Sequence, residues 1–349
     1  MYKNYQVVVN TAAGRRRYMQ YLIPYIVESK IVDRYDIWIN THNGADIEFF
    51  KQMAEAFPVI NLVWQPDGIV NGIASINAFY KQCIEPNTIY FKLDDDIVWM
   101  EPRLIEKMVQ FRVDNPQYFL VSPLVINNAL STYLLEINKK IKLDRYYNSS
   151  ANHPILWNSG IFATSLHLWF IQNHLANERW STLYVGKKEM AMTRFSINAI
   201  LWFGDEMRKF NGVVPGDDEE FLSCIYPTLN GISNAWNGDA IVSHFAFFTQ
   251  RQHLDKAGIL EMYGAQMQQE WTNNDAKKQI FQQVHSIMQT IQQNEAKYLA
   301  NPSPYKTIIV SRNIKQILKS LLPTWLTRWI HDFRGSKPRQ YILTSEDQE

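Results

Sequence analysis

The first third of the chain alternates short apolar runs with longer stretches in which apolar residues recur every three or four positions. Residues 6–10, 35–40, 60–65 and 89–93 are rich in β-branched and aromatic side chains and read as strands. Between them the spacing predicts helices over 18–30, 45–57 and 73–84. Strands separated by helical patterns of this length form βαβ units on a mainly parallel sheet. A helix opening near Pro102 then leads to a strand over 118–122. From 125 to 215 the alternation becomes irregular, with loops rich in Asn and aromatic residues, as expected where a substrate is shaped. A strand over 240–243 runs into His244-Phe245-Ala246-Phe247-Phe248. Residues 275–299 read as a Gln-rich amphipathic helix with Ile280, Phe281, Val284, Ile287, Met288 and Ile291 on one stripe. Residues 301–304, Asn-Pro-Ser-Pro, read as a linker.

Against that pattern one segment stands out. The strand at 89–93 ends in three consecutive carboxylates, Asp94, Asp95 and Asp96. Ligands of open α/β sheets bind at the carboxyl ends of the strands. Three adjacent carboxylates repel one another, and a hard divalent cation such as Mg²⁺ or Mn²⁺ relieves that repulsion. On this reasoning, deleting one of them should slightly stabilise the metal-free protein. The plain alternative is a solvated acidic turn before the next helix. A second acidic run, Gly216-Asp217-Asp218-Glu219-Glu220, opens a helix predicted to extend through 226. Acids also cap helices, but four exceed what a cap needs.

Together these features resemble the nucleotide-sugar glycosyltransferases of the GT-A fold, over roughly residues 5–250. The resemblance rests on the amino-terminal βαβ region, Asp94-x-Asp96 after a strand, a later acid pair at a helix start and a His after a late strand. It implies an α/β, GT-A-like fold: a mainly parallel, Rossmann-like sheet flanked by helices, with a C-terminal helical extension. It implies a catalytic domain over 1–250, with a nucleotide-binding half (1–122) and an acceptor half (123–250), then the extension (251–300) and a basic tail (301–349). The implied activity is transfer of a sugar from a nucleotide diphosphate-sugar donor to a carbohydrate or lipid-linked acceptor. The acid pair at a helix start favours inversion, and retention stays open because retaining GT-A enzymes share the Asp-x-Asp motif. Asp94, Asp96 and His244 would hold Mn²⁺ or Mg²⁺, and Asp94 or Asp95 would face the donor. Asp218 is the first choice of general base, then Asp217 and Glu219. Thr11, Arg15, Arg17, Asp67 and Asn71 are the further donor-binding candidates. Trp157, Asn158 and Gly160 are the acceptor-side candidates, with Trp157 stacking on a sugar face and Gly160 letting the sugar approach. The chain departs from the family's usual Glu-Asp at the base position. A metal-dependent phosphotransferase or phosphohydrolase and an inactive binding subunit are the rival readings.

Composition adds three points. Hydrophobic residues make up 46% and charged residues 20%, as in a globular protein, and a net charge of +1 offers no basis for a nucleic-acid partner. That charge is uneven. Residues 306–339 carry eight Lys or Arg against Asp332, a net +7 that leaves the rest at −6. Their apolar residues recur at helical spacing, so this segment is a candidate for an anionic membrane surface. The two cysteines, Cys83 and Cys224, lack metal or disulfide spacing and are expected as free thiols. With no signal-peptide pattern at the start of the sequence, the expected location is the cytoplasm, peripheral on the inner face of the membrane.

Overall fold

The computed structural model describes residues 1–349 apart from 67, 71–72, 302, 307–339 and 344–349. Asp67, Asn71 and the basic segment apart from Lys306 therefore lie outside the described residues. Among the described residues, nine strands form one sheet: β1 (Gln6–Ala13), β2 (Arg34–Ile39), β3 (Ile60–Val63), β4 (Thr88–Leu93), β5 (Ile97–Met100), β6 (Val121–Ile126), β7 (Lys187–Met190), β8 (Ala199–Phe203) and β9 (Asn234–His244). Helices α1 (Arg16–Glu28), α2 (Gly44–Ala56), α3 (Ile73–Tyr80) and α4 (Leu104–Asp114) alternate with the early strands, as the periodicity predicts. Then come α5 (Ala129–Ile137), α6 (Pro154–Asn158), α7 (Gly160–Phe170), α8 (Gly204–Arg208), α9 (Asp218–Glu220) and α10 (Tyr226–Asn230). The carboxyl-terminal helices are α11 (Arg251–Lys256), α12 (Ile259–Thr272), α13 (Asp275–Gln293) and α14 (Glu295–Leu299).

The strand order is β3-β2-β1-β4-β8-β6-β9-β5, with β7 added against β9. Strands β3, β2, β1 and β4 pair in parallel, as expected of βαβ units. Strand β8 then enters antiparallel between β4 and β6, while β6 and β9 run parallel. Parallel pairing thus dominates the first half, and the second half is mixed. Strands β4, β6 and β8 are buried along their whole length, which explains their near-continuous apolar character. The expected helix over 216–226 is instead α9, a π-helical turn over 221–225, and α10. The strand expected at 240–243 begins six residues earlier.

The extension packs onto α1 and α2 through α13 and α14, and α12 also reaches β5. Val284, Met288 and Ile291 of the predicted stripe are buried, with Ile280, Phe281 and Ile287 partly so. Trp271 of α12 meets Tyr25 of α1 edge-on at 5.2 Å between ring centroids. Gly44 admits the backbone of Tyr298, whose carbonyl oxygen would lie 2.1 Å from any Cβ at that position. Cys83 and Cys224 are free thiols. No described helix is long and apolar enough to cross a membrane.

Candidate active site

Strand register brings the chemistry together. In the antiparallel β4–β8 pair Leu93 lies opposite Ala199, so Asn198 sits beside Asp94. In the antiparallel β5–β9 pair Ile97 lies opposite His244, so the end of β9 sits beside Asp96. The Phe245 N–H donates to the Asp96 carbonyl at 2.8 Å and fixes that approach. The carboxyl end of β1 arrives from the other side, where the Gly14 N–H donates to Asp95 at 2.9 Å.

Each of the three carboxylates has its own cation. Lys92, buried in β4, donates to Asp94 at 2.5 Å and to the Ile197 carbonyl at 2.8 Å. Arg15 grips both oxygens of Asp95 through Nε at 3.1 Å, and its Nη2 also contacts Asp95. The same Nη2 reaches Asp96 Oδ2 at 3.0 Å, and Arg251 Nη2 lies 3.6 Å from that oxygen. Burial alone would push the Asp96 carboxyl up. The guanidinium of Arg15, with His244 and Arg251, instead holds it well below the usual carboxylate range. The mutual repulsion expected from the sequence is therefore already answered by the chain's own cations. The expectation that losing one acid would stabilise the metal-free protein is corrected accordingly.

Asp94, Asp96 and His244 nevertheless form a metal-capable group. One ligand atom from each lies within 4.8 Å of the others. Bonds of about 2.1 Å allow ligand atoms at most about 4.2 Å apart, so the widest separation needs to close by only a fraction of an ångström. The chemistry of the set fits a hard divalent ion, with two carboxylates and one imidazole. A second layer supports it. His244 Nδ1 faces the Asn127 carbonyl at 3.4 Å, which turns Nε2 toward Asp96 at 3.4 Å. Asn128 donates to Asn198 at 2.9 Å, and Asn198 donates to Asp94 at 3.0 Å. Asn127 itself takes a left-handed backbone conformation (φ 66°), which Asn tolerates better than most residues.

The second acidic run lies against the first. Tyr80, at the end of α3, donates to Asp218 at 3.0 Å. Burial pushes the Asp218 carboxyl up; Lys92 and Tyr80 pull it down, and Asp94 and Asp217 push it further up. Lys92 is thus shared between the two clusters. Its own burial penalty is outweighed by Asp94 and Asp218, which raise it. Asp217 caps α9 by accepting from the Glu220 N–H at 3.0 Å. Arg194 binds Asp217 at 3.1 Å and Glu219 at 2.9 Å. Asp218 interacts electrostatically with both Lys92 and Asp94.

Other sequence candidates fall elsewhere. Thr11 is fully buried within β1, and its hydroxyl accepts from Tyr35 at 3.1 Å. Both oxygens of Asp95 already accept from Arg15, so it ties the β1–α1 loop to the acidic turn rather than facing open space. Arg17 turns to Asp255 of α11. Trp157 is half-buried and stands 6.3 Å from Phe247 and 5.1 Å, edge-on, from Phe248. Phe247 in turn lies 4.8 Å from His244, so Trp157 belongs to an aromatic wall beside the metal-capable group. Asn158 ends α6 on that side. Gly160 has a different role from the one expected: a Cβ there would lie 2.3 Å from Cβ of His253, so its smallness admits α11 rather than a sugar. Lys92, Asn198, Tyr80, Arg194 and Arg251 escaped sequence reasoning. Lys92 carried a signal, a lone charge inside an apolar strand two residues before the acids.

No known protein family matches the chain by sequence, and no curated protein matches it. Among solved structures, the fold is similar to that of a CMP:2-keto-3-deoxy-manno-octonic acid synthetase complexed with CTP. That likeness has 11% identity and a TM-score of 0.40, covering 74% of this chain and 98% of that one. It is also similar to 4-diphosphocytidyl-2C-methyl-D-erythritol synthase from Anaerococcus prevotii DSM 20548. There the identity is 11% and the TM-score 0.39, covering 74% of this chain and 96% of that one. At these scores the likenesses assign no activity.

Proposed function

We propose that the protein is a divalent-metal-dependent transferase of the GT-A type that moves a sugar from a nucleotide diphosphate-sugar donor to a carbohydrate or lipid-linked acceptor, with inversion. The observation that carries this reading is the meeting of two clusters at the carboxyl ends of β4 and β9, strands in the interior of the sheet. Asp94, Asp96 and His244 can hold a cation, and Asp218 stands beside them through Lys92. Asp94, Asp96 and His244 would hold Mn²⁺ or Mg²⁺, which would supply positive charge against the negative charge growing on a departing diphosphate.

Asp218 supplies the base. Its carboxylate takes the proton of the acceptor hydroxyl as that oxygen bonds to the anomeric carbon. The bond from that carbon to the diphosphate oxygen breaks, and its electron pair leaves with the phosphate. A carboxyl raised by burial binds the proton more firmly than an ordinary one, which suits this step. Tyr80, whose own proton burial holds firmly, donates to Asp218 and fixes its orientation. Trp157 and Phe248, the latter 66% exposed, give the acceptor ring apolar faces to stack on. Incubation with a panel of nucleotide sugars in Mn²⁺ and in EDTA tests the reading. Nucleoside diphosphate should be released from at least one donor in Mn²⁺ alone; release from none, or equal release in EDTA, counts against it.

A further inference from the structure

Arg251 is the least satisfied cation at this site. Its guanidinium lies 3.6 Å from Asp96, beyond hydrogen-bond reach, and its Nε is buried without a partner among the described residues. Arg15 Nη1 is likewise buried without a partner, although the rest of that guanidinium is saturated by Asp95 and Asp96. A buried guanidinium N–H with nothing to donate to is costly. Among the described residues Arg16 and Arg112 also carry a buried unpartnered Nε, and it is the position beside Asp96 that sets Arg15 and Arg251 apart. Both guanidiniums approach one oxygen, Asp96 Oδ2, through their Nη2 atoms.

The position of Arg251 is built, not accidental. The preceding residue, Gln250, is fully buried and held three ways. Its amide oxygen accepts from Asn127 at 2.9 Å and from the Phe247 N–H at 3.1 Å, and its amide nitrogen donates to the Leu156 carbonyl at 2.9 Å. Asn127 is the residue whose carbonyl orients His244. One network therefore sets both the imidazole and the start of α11.

The charges point the same way. Asp94, Asp95 and Asp96 are matched in number by Lys92, Arg15 and Arg251, although Lys92 also serves Asp218. A divalent ion at Asp94, Asp96 and His244 would add two positive charges beside these guanidiniums and so favour an anion there. We infer that Arg251, with Arg15 Nη1, forms a diphosphate-binding pair beside the metal-capable group, with Asp96 holding the pair's place until phosphoryl oxygens arrive. Guanidinium suits this task because its fork matches two oxygens at once. The inference rests on the transferase reading for its ligand, a nucleoside diphosphate. The binding itself is testable without turnover.

Calorimetry of the full chain with inorganic pyrophosphate, orthophosphate and UDP, GDP or CDP, each in Mg²⁺, measures it. Pyrophosphate and at least one nucleoside diphosphate should bind saturably and more tightly than orthophosphate. Arg251→Gln should weaken pyrophosphate at least tenfold, equivalent to about 1.4 kcal/mol. Arg251→Lys keeps the charge without the fork and should fall between. Lys209→Gln, on an exposed helix pair with Glu206, removes a charge elsewhere and should leave binding unchanged. Thermal melts report folding of each variant. Wild-type affinity in a folded Arg251→Gln, or no saturable pyrophosphate binding by the parent chain, overturns the inference. If Arg251→Gln does not fold, Arg251→Lys decides, and undiminished affinity in it overturns the inference. Weakened pyrophosphate binding without consumption of any nucleotide sugar keeps the anion site and removes the glycosyl reading. Nucleotide-sugar consumption with unweakened binding in Arg251→Gln does the reverse.

Discussion

Replacing Asp96 by Asn keeps the shape of the side chain and removes its charge, which separates two accounts of the acidic turn. If the carboxylates mainly repel one another, the substitution stabilises the metal-free protein. If they are matched by the chain's own cations, it destabilises. Removing one partner of a buried ion pair typically costs 3–5 kcal/mol. Here Arg15 retains Asp95, and Arg251, with 35% of its side chain exposed, can turn toward water. Those reliefs bring the expected loss to roughly 2 kcal/mol. With a urea slope of about 3 kcal/mol/M, the midpoint falls by about 0.7 M in EDTA. The pH dependence has a definite sign. The Asp96 carboxyl is depressed in the folded state, so its contribution is present above the unfolded value, near 3.9, and is lost as pH falls through the folded one. The gap between parent and variant should therefore be full at pH 6 and shrink on acidification below about 4. Equal or greater stability of the variant at pH 6 in EDTA would refute the pairing of Asp96 with Arg15 and Arg251.

Two further substitutions probe the base and the packing behind it. Asp218→Asn should lower turnover by about 10²–10⁴, the usual worth of a positioned base, with donor affinity kept. Because burial raises this carboxyl in the fold, the neutral amide should also melt no lower, and higher at a pH above the folded value; a loss of less than about fivefold in steady-state assays would move the base to Glu219 or Asp217. Gly160→Ala should cost about 1–3 kcal/mol by overpacking, because its new methyl meets Cβ and Cγ of His253 at 2.3 and 2.7 Å and α11 must shift. That shift moves Arg251 as well, so pyrophosphate affinity should drop with stability, and an unchanged melting temperature would show that the helices have room to spare.

The amino-terminal half was legible because its elements repeat a local pattern. Each early strand is followed by an amphipathic helix, and each closes a parallel pair with a neighbour already read. Strands β5, β7 and β8 were missed for different reasons. β5 follows Asp96 directly, so its four apolar residues read as the continuation of the acidic strand. β8 is a five-residue apolar run whose place between β4 and β6 is decided by antiparallel pairing across more than 70 residues, which no local pattern encodes. β7 is half-exposed and largely charged, Lys187-Lys188-Glu189-Met190, and is a strand only because β9 offers it an edge.

The acids of the site were legible as departures from pattern, and their partners were not. Asp94, Asp96 and His244 stand out as polar residues where apolar ones are expected, and the fold brings those three together. Lys92 stood out in the same way but was passed over. Asn198 and Arg251 sit in polar loops and at a helix start, where such residues are unremarkable, so only the register of β8 and the seating of α11 give them a role. The acids alone suggest unrelieved repulsion; Lys92, Arg15 and Arg251 relieve it at Asp94, Asp95 and Asp96.

The identity of the product tests the proposed reaction most directly. The protein is incubated with Mn²⁺, a carbohydrate acceptor and each nucleotide sugar in turn, and acceptor and nucleotide products are weighed by mass spectrometry. The account predicts an acceptor heavier by one glycosyl unit, with nucleoside diphosphate formed in equal amount, and loss of both in the Asp96→Asn variant. An acceptor that gains a phosphoryl or nucleotidyl group, or a product that forms undiminished in that variant, would contradict it.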